Sequence, residues 1–392
     1  MRAFVVVIDG LGVGGAPDAA AFGDAGADTL GHAAAAVGGI RLPVLEALGL
    51  GNAAVAAGLR PCPRPGAVAG RLTERSAATD SATGHRELMG LVTTAPPPTY
   101  PDGFPDDVMA AVDAAMGGRG WLCNAPASGT EVVARLGPEH LRTGAPIVYT
   151  SADSVLQIAA HDEVLTPAEL YAACERVRAV MTGEHAVERV IARPFTGAPG
   201  AFRRTAGRRD FALPPAGPTA LDALAAAGVP VVGVGKVGQL VAGRGLSEDH
   251  PTGSDAEGVR LVAGLMGSLE RGLVFANLLE LDTGFGHRRD AVGYARALER
   301  LDGLLGRLVE AARPGDLLIV TADHGNDPAH AGTDHTREQV PLLARVAGAG
   351  HPHAPHRGGF GDVGATVLAR FGVRAPAGLA GRPVPLPSPP GT

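Results

Sequence analysis

The 392-residue chain is poor in cysteine and aromatic residues, contains a single lysine and has no long apolar segment. Its three cysteines are widely spaced and form no C-x-x-C pattern, which argues against a disulfide framework or a zinc–thiolate site and fits a reducing cytoplasm. The apolar run at residues 4–8 is too short for a signal-peptide core or a membrane span. A net charge of −6, without basic runs interleaved with aromatic residues, argues against nucleic-acid binding. We therefore expect a cytoplasmic protein that has neither nucleic acid nor a membrane as its partner.

What the chain does contain is typical of a large globular protein. Hydrophobic residues make up 45% and charged residues 19% of the sequence, near the averages for folded domains. A length of 392 residues exceeds what one small core holds and predicts two domains, or one α/β domain with an insertion. The 57 glycines and 32 prolines follow no fixed period and predict many turns.

Short apolar runs that end at or near acidic residues predict buried parallel strands. They lie at residues 4–8, 147–149, 274–281 and 317–320. Alanine- and leucine-rich helical patterns lie at residues 167–181, 219–227 and 291–312. This alternation predicts an α/β fold with a doubly wound core sheet.

Two proline clusters, Ala95-Pro-Pro-Pro and Leu213-Pro-Pro-Ala-Gly-Pro, predict crossings between domains. We expect a core domain, an inserted smaller α/β cap domain, and a poorly ordered proline-rich tail. The predicted bounds are 1–94 and 216–382 for the core, 95–215 for the cap, and 383–392 for the tail.

Acidic residues and histidines cluster where the predicted strands end. In an α/β sheet, ligands bind beyond the carboxyl ends of the strands. The residues at or near these positions are Asp9, Asp282, Asp323, His287, His324 and His335. One Asp–His pair on a loop is more typical of a solvated turn, but three clusters favour two divalent ions, Mn²⁺, Mg²⁺ or Zn²⁺. By contrast, His351, His353 and His356 lie in a proline-rich loop without nearby acids and predict a surface turn.

A site with two metal ions suits phosphoryl transfer, because the ions stabilise the attacking and leaving oxygens of an in-line displacement. Three hydroxyl groups are candidate nucleophiles, those of Thr79, Ser81 and Thr83. Spacing alone does not choose among them, and Thr79-Asp80-Ser81 is also a good helix N-cap. Lys236, the single lysine among 34 basic residues, is a candidate phosphate contact.

Motifs along nearly the whole chain resemble the phosphopentomutase family of the alkaline phosphatase superfamily. The first are Val7-Ile8-Asp9-Gly10-Leu11-Gly12-Val13-Gly14 and the run from Phe22 to His32. The others are Tyr149-Thr-Ser-Ala-Asp153-Ser154, Arg189-Val-Ile-Ala-Arg193-Pro-Phe, Gly286-His287-Arg288-Arg289-Asp290, and the segments 321–328 and 332–338. The metal motifs indicate the superfamily, whereas the Ser-Ala-Asp-Ser and Arg-Pro-Phe segments indicate the pentomutase branch.

The resemblance implies an alkaline-phosphatase-like core with a cap, and a role for each motif residue. One Mn²⁺ would be held by Asp9, Asp323 and His324, and the other by Asp282, His287 and His335, with Zn²⁺ or Mg²⁺ as alternatives. Ser81 takes the place of the threonine that carries the phosphoryl group between turnovers and would also contact the metal ions. Contacts to the sugar or its distal phosphate are implied for Asp153, Ser154, Arg189, Arg193, Arg204 and Lys236.

The implied activity is the interconversion of ribose 1-phosphate and ribose 5-phosphate, with the 2-deoxy sugars also accepted. It would proceed through phospho-Ser81 and a bisphosphate intermediate, primed by a bisphosphorylated sugar such as glucose 1,6-bisphosphate. The partner is thus a small pentose phosphate, and the cap would exclude water from the phosphoenzyme.

Besides the conservative serine at position 81, three positions depart from the family pattern. In the family motif Lys-Asp-Thr-x-x-Gly-His-Trp-Glu, Thr79 replaces the lysine and Arg86 the tryptophan, and Glu280 replaces the aspartate two residues before Asp282. These changes leave two further enzyme hypotheses, a phosphohydrolase and a mutase for another sugar phosphate in specialised metabolism. A metal-stabilised binding module without turnover is a hypothesis of a different class. The sequence indicates neither the oligomeric state nor the choice between nucleoside salvage and a dedicated biosynthetic pathway.

Overall fold

The computed structural model of the protein describes residues 1–151, 153–350 and 355–387. The strands are β1 (Arg2–Ile8), β2 (Val68–Thr73), β3 (Leu122–Pro126), β4 (Ile147–Thr150), β5 (Val155–His161), β6 (Arg189–Thr196), β7 (Arg203–Arg204), β8 (Arg209–Ala212), β9 (Val231–Val234), β10 (Glu248–His250), β11 (Gly272–Leu278), β12 (Leu317–Thr321), β13 (Val340–Val346) and β14 (His356–Gly359). The α-helices are α1 (Thr29–Ala36), α2 (Pro43–Leu48), α3 (Leu50–Ala53), α4 (Ser81–Leu88), α5 (Asp106–Met116), α6 (Gly129–Thr143), α7 (Pro167–Val180), α8 (Ala220–Ala226), α9 (Val237–Leu240), α10 (Asp255–Ser268), α11 (Ala291–Ala311) and α12 (Asp362–Phe371). Within these described ranges, no helix combines the length and the apolar character needed to cross a bilayer.

The chain divides into two compact units. The larger unit comprises Met1–Ala95 and Pro215–Thr392, and the smaller unit comprises Pro96–Pro214. Both boundaries fall inside the proline clusters, where the fixed φ of proline and its missing N–H group prevent regular elements from continuing.

The larger unit is built on an eight-stranded sheet with the order β10-β9-β11-β1-β12-β13-β2-β14. The strands from β10 to β12 in this order are parallel, and β13 is antiparallel to both of its neighbours. All seven residues of β1 are buried, as expected for a central strand that is covered on both faces. One group of helices packs around α11 and another around α12. The α/β class predicted from the sequence is confirmed, with one antiparallel strand inside the core sheet.

Three parallel neighbours in this sheet carry the acidic residues. β1 ends directly before Asp9, and β12 ends two residues before Asp323. The sequence predicts a strand at 274–281, but β11 ends at Leu278 and the segment Leu281–Gly286 forms a π-helical turn. This turn places Asp282 at the sheet edge where the other two carboxylates lie. The Asp282 carboxylate accepts a hydrogen bond there from Asn326, which follows Asp323 by three residues.

The smaller unit has a sheet of its own with the order β3-β4-β5-β6-β7, and β8 also pairs with β6. The run predicted at 147–149 is β4, which is parallel to β3 and antiparallel to β5. α7 begins with a capping box in which Thr166 and Glu169 satisfy each other's backbone N–H groups. One apolar cluster lies between this sheet and the helices α5 and α7, and a second one lies under α6.

Two predictions for the C-terminal part need correction. His356 begins a strand, not a surface turn, because β14 pairs with β2 and the imidazole Nε2 lies 2.8 Å from Oδ2 of Asp362. His351 and His353 lie outside the described residues.

The tail predicted from residue 383 is held at its start, since Val384 is buried and its N–H donates to the hydroxyl of Thr366. Residues 388–392 are outside the described part of the chain.

Candidate metal centre

Four polar groups meet at the carboxyl ends of β1 and β12. Nε2 of His324 lies 3.1 Å from Oγ of Ser81, 3.4 Å from Oδ1 of Asp9 and 3.4 Å from Oδ2 of Asp323. The Oγ atom of Ser81 lies 3.5 Å from Oδ1 of Asp9. Ligand atoms placed tetrahedrally about 2.1 Å from an ion are about 3.4 Å apart. The distances from His324 to the other three side chains, and from Ser81 to Asp9, therefore match the spacing of ligands around one divalent ion.

A second group of ligands lies around Asp282. Its Oδ2 is 3.2 Å from Nε2 of His287, and its Oδ1 is 3.5 Å from Nε2 of His335. The rings of His335 and His324 are in contact, with their centroids 4.0 Å apart. Asp282 also has a carboxylate oxygen within 4.8 Å of ligand atoms of Asp9 and His324, so it belongs to both groups. The resemblance placed Asp282 in one group alone.

All three histidines of the centre are held in the same way. Nδ1 of His287 lies 2.6 Å from the carbonyl of Thr333, and Nδ1 of His335 lies 3.3 Å from the carbonyl of Thr79. Nδ1 of His324 lies 3.1 Å from the carbonyl of Gly325. A carbonyl only accepts hydrogen bonds, so each Nδ1 carries a proton, and each Nε2 is the nitrogen that faces the carboxylates. This second layer of hydrogen bonds is what orients histidine ligands toward a metal.

The electrostatics of the site come from acids that are almost fully buried. Burial, together with the charges of Asp323 and Asp282, raises the pKa of Asp9 to about 7, and the positive charge of Lys236 acts in the opposite direction. Although burial also acts on Asp282, its hydrogen bond with His287 and its histidine neighbours hold the pKa of this carboxyl well below the usual range. The same hydrogen bond raises the pKa of His287 to about 9. Ionising all three carboxylates together therefore requires compensating positive charge.

The residues present fit divalent metal ions. The donor set consists of carboxylate oxygens, imidazole nitrogens and one hydroxyl, without thiolate, which is typical of Mn²⁺, Mg²⁺ or Zn²⁺ sites. Oδ2 of Asp323 is buried and receives no well-formed hydrogen bond from the described residues; its polar neighbour at 3.1 Å, Nδ1 of His85, lies closer to the carbonyl of Ser81, at 2.8 Å. A buried carboxylate oxygen whose lone pairs are only partly satisfied favours a nearby cation.

Two amides and a tyrosine support the carboxylates, and the sequence analysis missed all three. Nδ2 of Asn277 donates to Asp9 at 2.9 Å, and Nδ2 of Asn326 donates to Asp282 at 2.7 Å. The hydroxyl of the buried Tyr294 donates to the carbonyl of Gly10 at 3.0 Å. A single amide inside the apolar strand β11 was a usable signal for Asn277, whereas nothing in the local sequence marks Tyr294.

Arg337 organises the loop that precedes Ser81. Its buried guanidinium lies 2.8 Å from Oε2 of Glu74, 2.9 Å from Oδ2 of Asp18 and 3.3 Å from Oγ1 of Thr79. Burial raises the pKa of Glu74 well above its usual range, and the charge of Arg337 opposes this effect. Arg337 therefore supplies a positive charge beside Thr79, at the position where the family motif has a lysine. The network fixes Thr79, whose carbonyl holds the imidazole of His335.

The other two departures from the family pattern are also engaged. Arg86 is 5% exposed, and its Nε donates to the carbonyl of Leu240 at 3.3 Å. Glu280 and Asp255 exchange hydrogen bonds: the Glu280 N–H donates to Asp255 at 3.1 Å, and the Asp255 N–H donates to Glu280 at 2.9 Å. This exchange ties the start of α10 to the turn that carries Asp282.

The predicted sugar contacts lie in two places. Lys236 lies in the larger unit, between β9 and α9, close enough to Asp9 to lower its pKa. Asp153, Ser154, Arg189, Arg193 and Arg204 all lie in the smaller unit. An oxygen of Asp153 lies 3.7 Å from the Arg189 guanidinium. The hydroxyl of Ser154 is buried, donates to the carbonyl of Pro98 at 2.6 Å and accepts from the Glu188 N–H at 3.2 Å. These two hydrogen bonds hold the Ser154 hydroxyl in place within the smaller unit, and its contact with the sugar stays a prediction.

Arg193 and Arg204 belong to a basic cluster around Tyr149. Burial raises the pKa of the Tyr149 hydroxyl, while Arg193, Arg204 and Arg208 lower it. Tyr149 is 1% exposed, and its Oη has no well-formed hydrogen bond among the described residues. A Cβ atom on Gly129, the first residue of α6, would lie 2.7 Å from this Oη and 3.1 Å from the Arg204 guanidinium. Three arginines thus lie near the Tyr149 hydroxyl, close to the first residue of α6.

Residues 1–375 match the family model described as Metalloenzyme superfamily, and the chain belongs to that superfamily. Among solved structures, the chain is similar to the PH0037 protein from Pyrococcus horikoshii, at 13% identity and a TM-score of 0.49, over 95% of this chain and 97% of that one. It is also similar to Leishmania mexicana phosphoglycerate mutase, at 13% identity and a TM-score of 0.49, over 97% of each chain.

Curated relatives define the family more narrowly. The phosphopentomutase of Anaeromyxobacter dehalogenans strain 2CP-1 is 49% identical over 379 residues, which cover 97% of each chain. That of Syntrophotalea carbinolica is 50% identical over 375 residues, which cover 94% of each chain. The chain therefore belongs to the phosphopentomutase family and is an enzyme of the phosphotransferase mutase class, an isomerase.

Replacing Arg337 with methionine is expected to destabilise the larger unit by about 3–5 kcal/mol, because Glu74 is left buried without its cation. The double variant Arg337→Met with Glu74→Gln should recover part of this loss, since it removes the uncompensated charge. Thermal unfolding of both variants checks the expectation. Equal melting temperatures for the single variant and the wild type would contradict it.

Asp255→Asn is expected to stabilise the protein at neutral pH. Burial raises the pKa of Asp255 from 3.8 to about 6, so the folded state favours the protonated form and is penalised once the group ionises. A difference of about two pKa units corresponds to about 3 kcal/mol at pH above 6, and it vanishes below pH 4. Melting temperatures of both proteins between pH 4 and 8 test this, and a gap that does not grow with pH would disprove it.

Proposed function

We propose that the protein is a phosphopentomutase that interconverts ribose 1-phosphate and ribose 5-phosphate, and their 2-deoxy forms, in the cytoplasm. The observation that carries the proposal is the position of Ser81, whose hydroxyl lies among the ligand atoms of Asp9 and His324. Membership of the phosphopentomutase family, at about half identity over nearly the whole chain, supports the same substrate class.

Three hydroxyl groups were candidates for the nucleophile, and their contacts favour Ser81. The Thr79 hydroxyl donates to Glu74 at 3.2 Å and accepts from Arg337. The Thr83 hydroxyl is buried and donates to the carboxylate of Asp80 at 2.6 Å. The Ser81 hydroxyl instead faces the metal-ligating groups, where a nucleophile of phosphoryl transfer is required.

The helix that begins at Ser81 supports a phosphoserine at this position. Asp80 is the N-cap of α4 and accepts a hydrogen bond from the Thr83 N–H at 3.0 Å, which fixes the first turn. A phosphate on the Ser81 hydroxyl would lie at the positive end of α4, where the helix dipole and backbone N–H groups stabilise negative charge. The same arrangement stabilises the charge on the phosphoryl group during its transfer.

Two divalent ions, which we propose to be Mn²⁺, would be held by Asp9, Asp323 and His324 and by Asp282, His287 and His335, with Ser81 in contact with them. When bound, such ions supply positive charge that stabilises a phosphoryl group during transfer. A bisphosphorylated sugar such as glucose 1,6-bisphosphate would load Ser81 initially.

In the proposed cycle, phospho-Ser81 donates its phosphoryl group to a hydroxyl of the incoming sugar phosphate, and the serine oxygen is released. The resulting sugar bisphosphate reorients and returns its other phosphoryl group to Ser81. The phosphate that is not being transferred needs a binding site of its own. The arginines and the Tyr149 hydroxyl of the smaller unit are suited to this, because charge-assisted hydrogen bonds hold phosphate strongly without fixing the sugar.

A direct assay tests this function. The protein is supplied with Mn²⁺, ribose 1-phosphate and glucose 1,6-bisphosphate, and ribose 5-phosphate and free phosphate are followed together by phosphorus NMR. We expect ribose 5-phosphate without free phosphate. Free phosphate in proportion to the lost substrate would identify a phosphohydrolase instead, and no conversion would point to another sugar phosphate.

Ser81 variants separate the nucleophile from the other hydroxyls. Ser81→Ala is expected to lower kcat by several orders of magnitude and to abolish phosphate incorporation, because no alcohol remains at that position. Ser81→Thr keeps the alcohol and should stay phosphorylated and active. Intact-protein mass spectrometry after priming measures the phosphate. A phosphorylated Ser81→Ala protein would show that a different residue is the nucleophile.

Variants of the basic cluster test the phosphate contact. Arg204→Met should raise KM for ribose 1-phosphate about 10- to 100-fold, and Tyr149→Phe by a smaller factor, since a hydrogen bond to a charged group contributes more than one from a neutral hydroxyl. Arg142→Met is the control, because Arg142 lies near the other end of α6 and its side chain is 73% exposed. Unchanged KM in both cluster variants would remove this cluster from the proposal.

A further inference from the structure

His85 contacts both the residue proposed as nucleophile and a carboxylate of the metal centre, and the proposed mechanism assigns it no role. Its Nδ1 atom lies 2.8 Å from the carbonyl oxygen of Ser81 and 3.1 Å from Oδ2 of Asp323. The imidazole is fully buried. Residues Ser81 and His85 are separated by one helical turn, so they lie on the same face of α4.

The packing of α4 brings this face against the loop that follows β12. A Cβ atom on Gly84 would lie 2.2 Å from the carbonyl oxygen of Asp323, so only a residue without a side chain permits this approach. His85 is the next residue, and its ring enters the gap between the helix and the carboxylate of Asp323. Because Gly84 has no side chain, α4 can lie close to the loop that follows β12. His85 then makes the polar contact between the helix and the Asp323 carboxylate of that loop.

Only one edge of the His85 ring is used for polar contacts. The carbonyl of Ser81 and the carboxylate of Asp323 are both acceptors, so Nδ1 must carry the proton. Nε2 is buried, has no hydrogen-bond partner among the described residues, and the ring centroid lies 5.4 Å from that of Phe275. Burying an unpaired ring nitrogen is unfavourable, and an apolar residue would avoid this cost. The Nδ1–H group is thus the interaction that a histidine supplies here and an apolar residue does not.

We propose that His85 is a positioning residue that fixes the carboxylate of Asp323 relative to Ser81. The oxygen it contacts, Oδ2 of Asp323, is the one that lies 3.4 Å from Nε2 of His324, and that nitrogen lies 3.1 Å from the Ser81 hydroxyl. Without the Nδ1–H group, this carboxylate and the first turn of α4 lose the contact that connects them. Metal binding and phosphoryl transfer should then both weaken. The inference rests on the function proposed above for the same site.

The test uses three variants of the intact protein. His85→Asn keeps a side-chain N–H near the position of Nδ1, whereas His85→Gln places its amide toward the Nε2 side and His85→Leu removes both nitrogens. Binding of Mn²⁺ is measured without substrate, from the electron paramagnetic resonance signal of free Mn²⁺. The turnover of ribose 1-phosphate is measured separately at saturating Mn²⁺, to obtain kcat and KM.

We expect the leucine and glutamine variants to bind Mn²⁺ about 10- to 100-fold more weakly, the usual effect of losing a group that orients a metal ligand. Their kcat should fall while KM changes little, because the His85 imidazole is fully buried. The asparagine variant should stay close to the wild type in both measurements. His140→Leu is the matched control, since His140 is equally buried but lies in the smaller unit, and it should not alter Mn²⁺ binding.

Two results would overturn the inference. In the first, the leucine and glutamine variants bind Mn²⁺ and turn over as the wild type does. In the second, the asparagine variant loses as much affinity as the other two, so that ring shape matters and the Nδ1–H group does not. Wild-type protein that binds Mn²⁺ but does not convert ribose 1-phosphate would disprove the proposed function alone, because the comparison of Mn²⁺ affinities needs no substrate. If the leucine variant does not fold, the asparagine and glutamine pair decides the question.

Discussion

Electrostatic repulsion among buried carboxylates is the constraint on which this structure depends. Asp9 and Asp323 are fully buried and Asp282 nearly so, and the parallel strands β1 and β12 deliver two of them to one edge of the core sheet. Like charges in a site with little water cannot all ionise without compensation. Amide donors from Asn277 and Asn326 and three imidazoles supply part of that compensation. The rest of the compensating positive charge has to come from divalent cations. The fold of the α/β sheet is thereby linked directly to metal-dependent chemistry.

The position of Ser81, which we propose as the nucleophile, follows from the same constraint. Ser81 reaches the metal-ligating groups because α4 packs directly on the Asp323 loop, with Gly84 at the closest approach and His85 in contact with the carboxylate. The loop before this helix is fixed from the other side, where Arg337 neutralises a buried acid and holds Thr79. The carbonyl of Thr79 in turn orients one of the histidine ligands. Ser81 and the candidate metal ligands are therefore parts of one hydrogen-bonded structure, and a change in one is expected to affect the other.

The departures from the family pattern lie around this centre and leave its ligands unchanged. Thr79 contributes its backbone to a histidine and its hydroxyl to the Arg337 network, so the reaction centre does not need its side-chain charge. Glu280 exchanges hydrogen bonds with Asp255 at the start of α10, two residues before the candidate ligand Asp282. Arg86 is buried and bonded to a backbone carbonyl. These positions shape how the site is supported, which is where a difference in substrate preference within one family would arise.

The sequence by itself determined the α/β class and three of the eight core strands, β1, β11 and β12, and it indicated the candidate ligand side chains, because hydrophobic periodicity and motif residues are local properties of the chain. Tertiary structure decided the rest. Asn277 and Asp9 are 268 residues apart, and Ser81 and His324 are 243 apart, so no local pattern could reveal that they are in contact. The contacts of the three candidate hydroxyls, the hydrogen bonds of Ser154, the early end of β11 and the position of His356 in a strand all depend on partners brought by folding. Propensity fixes which elements form, but hydrogen bonds between distant segments decide where each polar side chain finds its partner.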